Sequence, residues 1–168
     1  VRSSWGPDFQ SYVENNIVAT QRLLEACRAS NVSRLVFASS SSIYGDAESH
    51  PTSEDVNPKP ISPYGVSKLA AERLCLAYHH SYGIPVVVLR YFTVYGPRQR
   101  PDMAFNRFFR SILLGSKIEI FGDGRQSRDF TYVADVIEAN LLALESDVDG
   151  EVFNIGGGAR ITLLDVLK

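Results

Sequence analysis

Cysteine, methionine, tryptophan and histidine are all scarce in this 168-residue chain, at two, one, one and three copies. Cys27 and Cys75 stand far apart, each beside Ala and Leu in helix-like sequence. Such a pair builds neither a disulfide framework nor a metal site, so buried, reduced thiols of a cytoplasmic protein are expected. The histidines are His50 and the adjacent His79 and His80, which cannot share one helix face. No Asp or Cys stands at ligand spacing from them, so no metal centre is expected. Long apolar runs are also absent. The longest, Ile84 to Leu89, contains Pro85 and is far too short to span a bilayer. The first eight residues carry no apolar segment of signal-peptide type. There is no Lys/Arg-rich run and the net charge is −2, which disfavours nucleic acid and membrane surfaces as partners. The densest cationic stretch, Arg98, Arg100, Arg107 and Arg110, could still serve a small phosphorylated ligand. One motif is missing where an α/β chain would place it. The sequence opens on a helix rather than on a strand, a Gly-rich turn and a helix. Its one glycine run, Gly156 to Gly158, comes late and is separated from the helix that follows, so it reads as a flexible turn rather than a phosphate cradle.

What the chain does have is an ordinary globular balance, 45% hydrophobic and 21% charged, in a length that can bury a real core. Helical spacing of Phe9, Val13, Ile17, Leu24 and Cys27 predicts a helix from Phe9 to Asn31, with Asp8 as its cap. Arg34 to Ser39 reads as a buried parallel strand, and Ser40 to Ser62 as a loop. A second long helix is expected from Pro63 to Tyr82, with Pro in the first turn and Gly83 just past the end. Pro85 to Tyr91 is a β-branched strand. Further along, helices are expected over Ala104 to Leu114 and Val133 to Glu145, and strands over Lys117 to Phe121 and Glu151 to Ile155. Gly122-Asp123-Gly124 is a turn, and Thr162 caps a last helix. Strands alternating with helices of this length indicate an α/β fold with a largely parallel, doubly wound sheet.

The strongest chemical signal is Tyr64-Gly65-Val66-Ser67-Lys68. Tyr and Lys at i and i+4 share a helix face, and an ammonium beside a phenol favours the phenolate, making a usable base. Taken alone, this spacing is also that of a chance surface pair. Ser39-Ser40-Ser41-Ser42-Ile43-Tyr44-Gly45 follows directly on a predicted buried strand. Ligands of parallel sheets bind at such strand ends, and a row of hydroxyls suits a polyhydroxylated ligand. The bland alternative is a solvated Ser loop. A strand, a Ser run and then Pro-Tyr-x-x-x-Lys together resemble the extended short-chain dehydrogenase/reductases. Arg90-Tyr91-Phe92-Thr93-Val94-Tyr95-Gly96-Pro97, Phe121-Gly122-Asp123-Gly124, Arg128-Asp129-Phe130-Thr131-Tyr132-Val133 and Tyr12-x-x-Asn15-Asn16 with Thr20 extend the likeness over nearly the whole chain. Among these enzymes the chain resembles the NAD-dependent UDP-sugar 4-epimerases, and with Arg100-Pro101-Asp102-Met103-Ala104 it looks most like their UDP-glucuronate branch.

The resemblance implies a partial Rossmann-like sheet lacking its first three strands, joined to part of a small substrate-binding α/β region. Residues 1–95 would form the second half of the NAD-binding domain, and residues 96–168 the substrate region interleaved with a returning strand and helix. It implies Tyr64 as base toward the sugar 4-hydroxyl, Lys68 as the cation that tunes Tyr64 and holds the nicotinamide ribose, and Ser40 as a hydrogen-bond partner of the reacting oxygen. Asn15 and Phe92 would touch NAD, as would Ser40, Tyr64 and Lys68. Ser41, Ser42, Thr93, Arg98, Phe121 and Arg128 would contact the UDP-sugar, with Phe121 near the uracil and Arg128 on the diphosphate. The family's dehydratases and decarboxylases carry carboxylates in the Ser loop. Ser41 and Ser42 stand there in this chain, which favours epimerisation. The expected substrates are UDP-glucuronate and UDP-galacturonate, then UDP-glucose and UDP-galactose. The expected assembly is a homodimer through the two long helices. With the Gly-rich segment absent from the sequence, weak NAD binding by this chain alone is expected, and a truncated, non-catalytic remnant is the competing reading.

Overall fold

The computed structural model of the protein describes residues 4–47 and 49–168, so residues 1–3 of the N-terminal segment lie outside the described residues. The chain divides into two compact units. One holds the described residues up to Tyr91 together with Ala139–Ile155, and the other holds Phe92–Glu138 with Gly156–Lys168.

The first unit begins with a 3₁₀ turn at Gly6–Asp8 that runs into helix α1 (Phe9–Tyr12), a π-helical segment (Val13–Val18) and helix α2 (Ala19–Ser30). Asp8 does not cap this helix as expected. It is already in helical backbone conformation and its side chain makes no capping bond, because the chain starts turning at Gly6. α2 stops where Asn31 takes a left-handed conformation, φ 51°. Strand β1 (Leu35–Ser40) follows, and then helix α3 (Pro63–Tyr82). The Ser62 hydroxyl caps α3 by accepting from the Gly65 N–H at 3.1 Å, Pro63 fills the first position, and Gly83 ends the helix at φ 68°. Strand β2 (Val86–Tyr91) comes next, and strand β5 (Glu151–Ile155) returns to it late in the chain.

β2 is the middle strand of a parallel three-stranded sheet in the order β1-β2-β5, with Leu35 opposite Val86 and Val87 opposite Glu151. Its continuous apolar run reflects burial on both faces. Val86 and Val88 pack with Leu24 of α2 and Cys75 of α3, whereas Val87 and Leu89 point the other way and pack with Ala143. Ala143 lies on helix α5 (Val133–Glu145), so helices cover both faces of the sheet, as the α/β reading expected.

The second unit contains strand β3 (Thr93–Tyr95), helix α4 (Ala104–Leu113), strand β4 (Ser127–Tyr132), strand β6 (Arg160–Thr162) and helix α6 (Leu163–Val166). β4 pairs parallel with β3 and antiparallel with β6. Tyr95 stacks on Phe105 at 4.8 Å, and Phe130 meets Phe105 edge-on at 5.1 Å. The strand expected over Lys117–Phe121 is not formed. Its residues alternate between exposed and half-buried, but they join no ladder, and the strand positions go to β3, β4 and β6 instead. Thr162 does cap α6, accepting from the Asp165 N–H at 3.1 Å. Among the described residues no helix is long and apolar enough to cross a membrane.

Candidate functional site

The Ser run begins at the carboxyl end of β1. Ser39 and Ser40 are buried there, opposite Arg90 and Tyr91 of β2. Ser40 Oγ accepts from the Ser42 N–H at 3.2 Å and so caps a single 3₁₀ turn, Ser41–Ile43, which the fully buried Ile43 anchors. The first turn of α3 lies against this turn. A Cβ on Gly65 would sit 2.6 Å from the Ser42 carbonyl oxygen, so only glycine admits the approach. That contact brings Tyr64 and the Ser turn together.

Tyr64 is held from the helix entry as well. Its ring meets Tyr12 edge-to-face at 6.0 Å. Asn16, in the π-helical segment, donates to Ser67 Oγ at 2.9 Å, and Ser67 Oγ in turn donates to the Tyr64 carbonyl at 2.8 Å. A π segment re-aims side chains that a regular helix would place elsewhere. Lys68, one turn beyond Tyr64, donates to the Ala38 carbonyl of β1 and lies 4.7 Å from the Phe37 ring centre. Burial pushes its pKa below the ordinary lysine value, against opposing interactions with Cys75 and Glu72. Both cysteines are free and buried, and burial pushes the Cys75 thiol up to about 12.

Beneath these groups lies a polar network that the sequence reading missed. Glu72, fully buried one turn beyond Lys68, receives Arg90 Nη2 at 2.6 Å, Arg90 Nε at 3.2 Å and Ser39 Oγ at 2.6 Å. Arg90 Nη1 donates to the Tyr44 hydroxyl at 2.6 Å and to the Glu54 carbonyl at 3.0 Å. The Tyr44 hydroxyl in turn donates to Asn154 Oδ1 at 2.8 Å. Burial opposes the Arg90 charge, but the hydrogen bonds and charge of Glu72 outweigh it and hold its pKa above the ordinary value. Burial raises the Tyr44 pKa. A signal was present in the sequence: a charged residue ending the apolar run Val86 to Leu89 needs a buried partner.

Of the residues expected at a site, Asn15, Ser40, Ser41, Ser42, Tyr64 and Lys68 belong to the first unit. Asn15 is exposed and donates back to the Ser11 carbonyl at 2.8 Å. Phe92, Thr93, Arg98, Phe121 and Arg128 belong to the second unit. Phe92 and Thr93 are half-buried. Arg98 has a positive φ of 65° and lines an open groove of about 800 Å³ with Tyr95, Phe105, Phe109, Leu113 and Tyr132. Arg100 pairs with Asp102 at 3.2 Å on the surface. Phe121 is 53% exposed, with the Arg107 guanidinium 4.8 Å from its ring centre. Arg128 is exposed and donates to the Ser127 carbonyl at 2.8 Å. The glycine run is a tied turn rather than a loose one. The N–H groups of Gly157 and Gly158 donate to the Asp129 carboxylate at 2.5 and 3.1 Å, and a Cβ on Gly157 would meet the Phe130 carbonyl oxygen at 2.3 Å. Two N–H groups spent on a carboxylate are not offered to a phosphate. Among the described residues no three His, Cys, Asp or Glu side chains group as metal ligands.

Comparison with known proteins adds a family and its members. Residues 4–156 match the model of the NAD dependent epimerase/dehydratase family. An uncharacterised UDP-glucose epimerase of Bacillus subtilis is 52% identical over 100% of this chain and 53% of its own length. A UDP-glucuronate 4-epimerase of Thermodesulfobacterium geofontis is 47% identical over 88% of this chain and 45% of its own. The crystal structure of the Bacillus cereus UDP-glucuronic acid 4-epimerase, in complex with UDP-glucuronic acid and NAD, superposes with a TM-score of 0.94 at 54% identity. That match covers 99% of this chain and 53% of that one. The chain therefore spans about half the length of the curated relatives it matches, and its fold matches the Rossmann-like fold of these epimerases.

Proposed function

We infer the function from one premise: the chain belongs to the NAD-dependent epimerase/dehydratase family. We propose that the protein carrying it is a nucleotide-sugar 4-epimerase. UDP-glucuronate and UDP-galacturonate are the preferred pair, and UDP-glucose and UDP-galactose come second. The observation that carries this reading is the hydroxyl-lined Ser40–Ser42 turn packed against the Tyr64–Lys68 turn through Gly65. The turn holds no carboxylate for eliminating water, and the nearby Glu72 carboxylate is taken up by Arg90 and Ser39.

In this reading Tyr64 takes the proton of the sugar 4-hydroxyl and later returns it. Ser40 donates a hydrogen bond to that oxygen, since its Oγ accepts from Ser42 and keeps its own proton to give. Lys68 spends one of three ammonium donors on Ala38, leaving two for a ribose and for the charge that develops on Tyr64. These donors fit the nicotinamide-ribose side of NAD. The glycine run does not fit the pyrophosphate, because Asp129 occupies its N–H groups. Bound NAD would supply the acceptor, and then the donor, of the C4 hydride. Asn15 and Phe92 complete the cofactor side of the proposal. On the sugar nucleotide, Ser41 and Ser42 offer hydroxyl donors, Thr93 leaves room near C6, Phe121 offers a ring face to the uracil, and Arg128 offers its guanidinium to the diphosphate. With Arg100 paired to Asp102, Arg98 is the cation assigned to the sugar carboxylate. Exposed Leu23, Val66 and Tyr82 on α2 and α3 support a homodimer through these helices, which sedimentation at tens of micromolar would refute by finding only monomer. Two buried free thiols fit a cytoplasmic location, to be checked by cell fractionation.

The test is a side-by-side assay of UDP-glucuronate and UDP-glucose on the whole protein, with Tyr64→Phe as control. Turnover of UDP-glucose without UDP-glucuronate overturns the uronate preference. Turnover of neither supports a non-catalytic remnant. Near-normal turnover by Tyr64→Phe removes the mechanism.

A further inference from the structure

The Glu72–Arg90 pair lies at the level where two parts of the proposed reaction centre meet, yet neither residue belongs to that centre. Glu72 continues the helix face of Tyr64 and Lys68, at i+8 and i+4. Its carboxylate accepts from Ser39, the residue just before Ser40, and from two nitrogens of Arg90. The third Arg90 nitrogen, Nη1, reaches Tyr44, which follows the Ser41–Ile43 turn, and the Glu54 carbonyl in the loop beyond. A single planar fork thus connects the start of the Ser turn, its end and the catalytic face of α3. Its bonds from Ser39 and Arg90 Nη2 to Glu72, and from Arg90 Nη1 to Tyr44, are charge-assisted and 2.6 Å long. Isolated from water, such a pair gains little stability over an apolar filling, since desolvation offsets the attraction. What it does supply is geometry, because each bond has one direction and one length.

We propose that Glu72 and Arg90 are positioning residues. Through Ser39 and Tyr44 they hold the Ser40 hydroxyl in register with the Tyr64–Lys68 turn. This rests on the assignment of Tyr64, Lys68 and Ser40 as the reaction centre. It predicts that loosening either arm of the fork misplaces a reacting group without altering how the sugar nucleotide binds.

Ser39→Ala and Tyr44→Phe each remove one arm and leave the ion pair and the packing in place. In the whole protein, assayed on whichever UDP-sugar it turns over, each variant keeps its circular dichroism spectrum. Each loses about tenfold in kcat while KM stays within about twofold. The double variant loses less than the product of the two single losses, because both arms act through the same pair. Folded single variants with kcat unchanged, or with KM rising in place of the fall in kcat, overturn the proposal. So does a double variant whose loss equals the product. Tyr64→Phe in the same assay separates the two levels. If it retains activity, the reaction centre itself is misassigned. If it is inactive while Ser39→Ala and Tyr44→Phe are silent, only the positioning role falls.

Discussion

In the first unit the polar side chains at the strand ends are buried and locked to one another, whereas in the second unit Arg98, Phe121 and Arg128, all assigned to a ligand, stand exposed. Ser39, Ser40, Glu72 and Arg90 are all buried. Among the described residues no buried side-chain polar atom is left without a hydrogen bond. Phe121, Arg98 and Arg128 belong instead to loops or to the exposed face of a strand. Groups that must meet a reacting atom within a fraction of an ångström gain from a locked surround. Groups that recognise a flexible, charged ligand do not require it. The contrast leads to a division of labour: substitutions at Tyr64 and in the buried network beneath it should lower kcat, and those at the exposed Arg98, Phe121 and Arg128 should raise KM.

The strongest test of that division is Tyr64→Phe. Removing the hydroxyl to which proton transfer is assigned should lower kcat by about a thousandfold and leave KM nearly unchanged, since general acid–base groups contribute about 10²–10⁴. A substrate titration of the variant checks both numbers. An unchanged kcat breaks the comparison at its firmer end.

Arg128→Ala should act the other way. Losing the charge-assisted bonds proposed between Arg128 and the diphosphate should raise KM by about ten- to a hundredfold at constant kcat, and parent and variant should converge as salt rises. A fall in kcat with KM unchanged would mean that Arg128 reaches the reacting part of the ligand.

The two units also differ in how far their sequence could be read. The bounds of α3 were legible because Pro63 and Gly83 punctuate it. β1 and β2 were legible because a strand covered on both faces shows as an apolar run. In the second unit β3 and β6 are three residues each, too short for any period to emerge. The alternation over 117–121 imitated a strand that has no partner. A ladder needs two segments, and local pattern sees only one. The Ser turn and the Tyr64–Lys68 pair were readable because their members are neighbours in sequence. The network beneath them joins residues 39, 44, 54, 72, 90 and 154, whose proximity exists only after the sheet has formed. The tie from Asp129 to the glycine run was hidden for the same reason.

The buried character of the first unit has a signature in pH. The Cys75 thiol is pushed from 9.0 to about 12 by burial. Between those values the native state keeps a proton that the unfolded chain has lost, so stability falls as pH rises, by about 1.4 kcal/mol per unit from this group. The loss begins near the unfolded value and ends near the folded one. Cys75→Ala should flatten the slope by that amount over and above a pH-independent packing cost, measured by denaturant unfolding from about pH 8 to about pH 11. Equal slopes in parent and variant would mean that the thiol is not shielded and that the first unit is looser than its contacts imply.

The smallest effect belongs to Phe121, and it probes the exposed side of the contrast most finely. Its ring is 53% exposed, with the Arg107 guanidinium over it at 4.8 Å and Arg107 also bonded to Glu119 at 3.4 Å. A cation over a ring biases the ring's orientation, and the exposed part of the ring is the surface a planar partner would meet. Stacking of a base on such a face contributes about 1–3 kcal/mol, and leucine keeps much of the apolar area while losing the flat π surface. Phe121→Leu should therefore raise KM by about three- to tenfold with kcat unchanged, and free UDP should lose inhibitory affinity by the same factor. Arg107→Gln, which removes the cation but not the ring, should give a smaller change in the same direction. If Phe121→Leu alters kcat, or weakens the sugar nucleotide without weakening UDP, the ring does not read the base, and the division between a locked reaction centre and an adaptable binding surface must be redrawn around it.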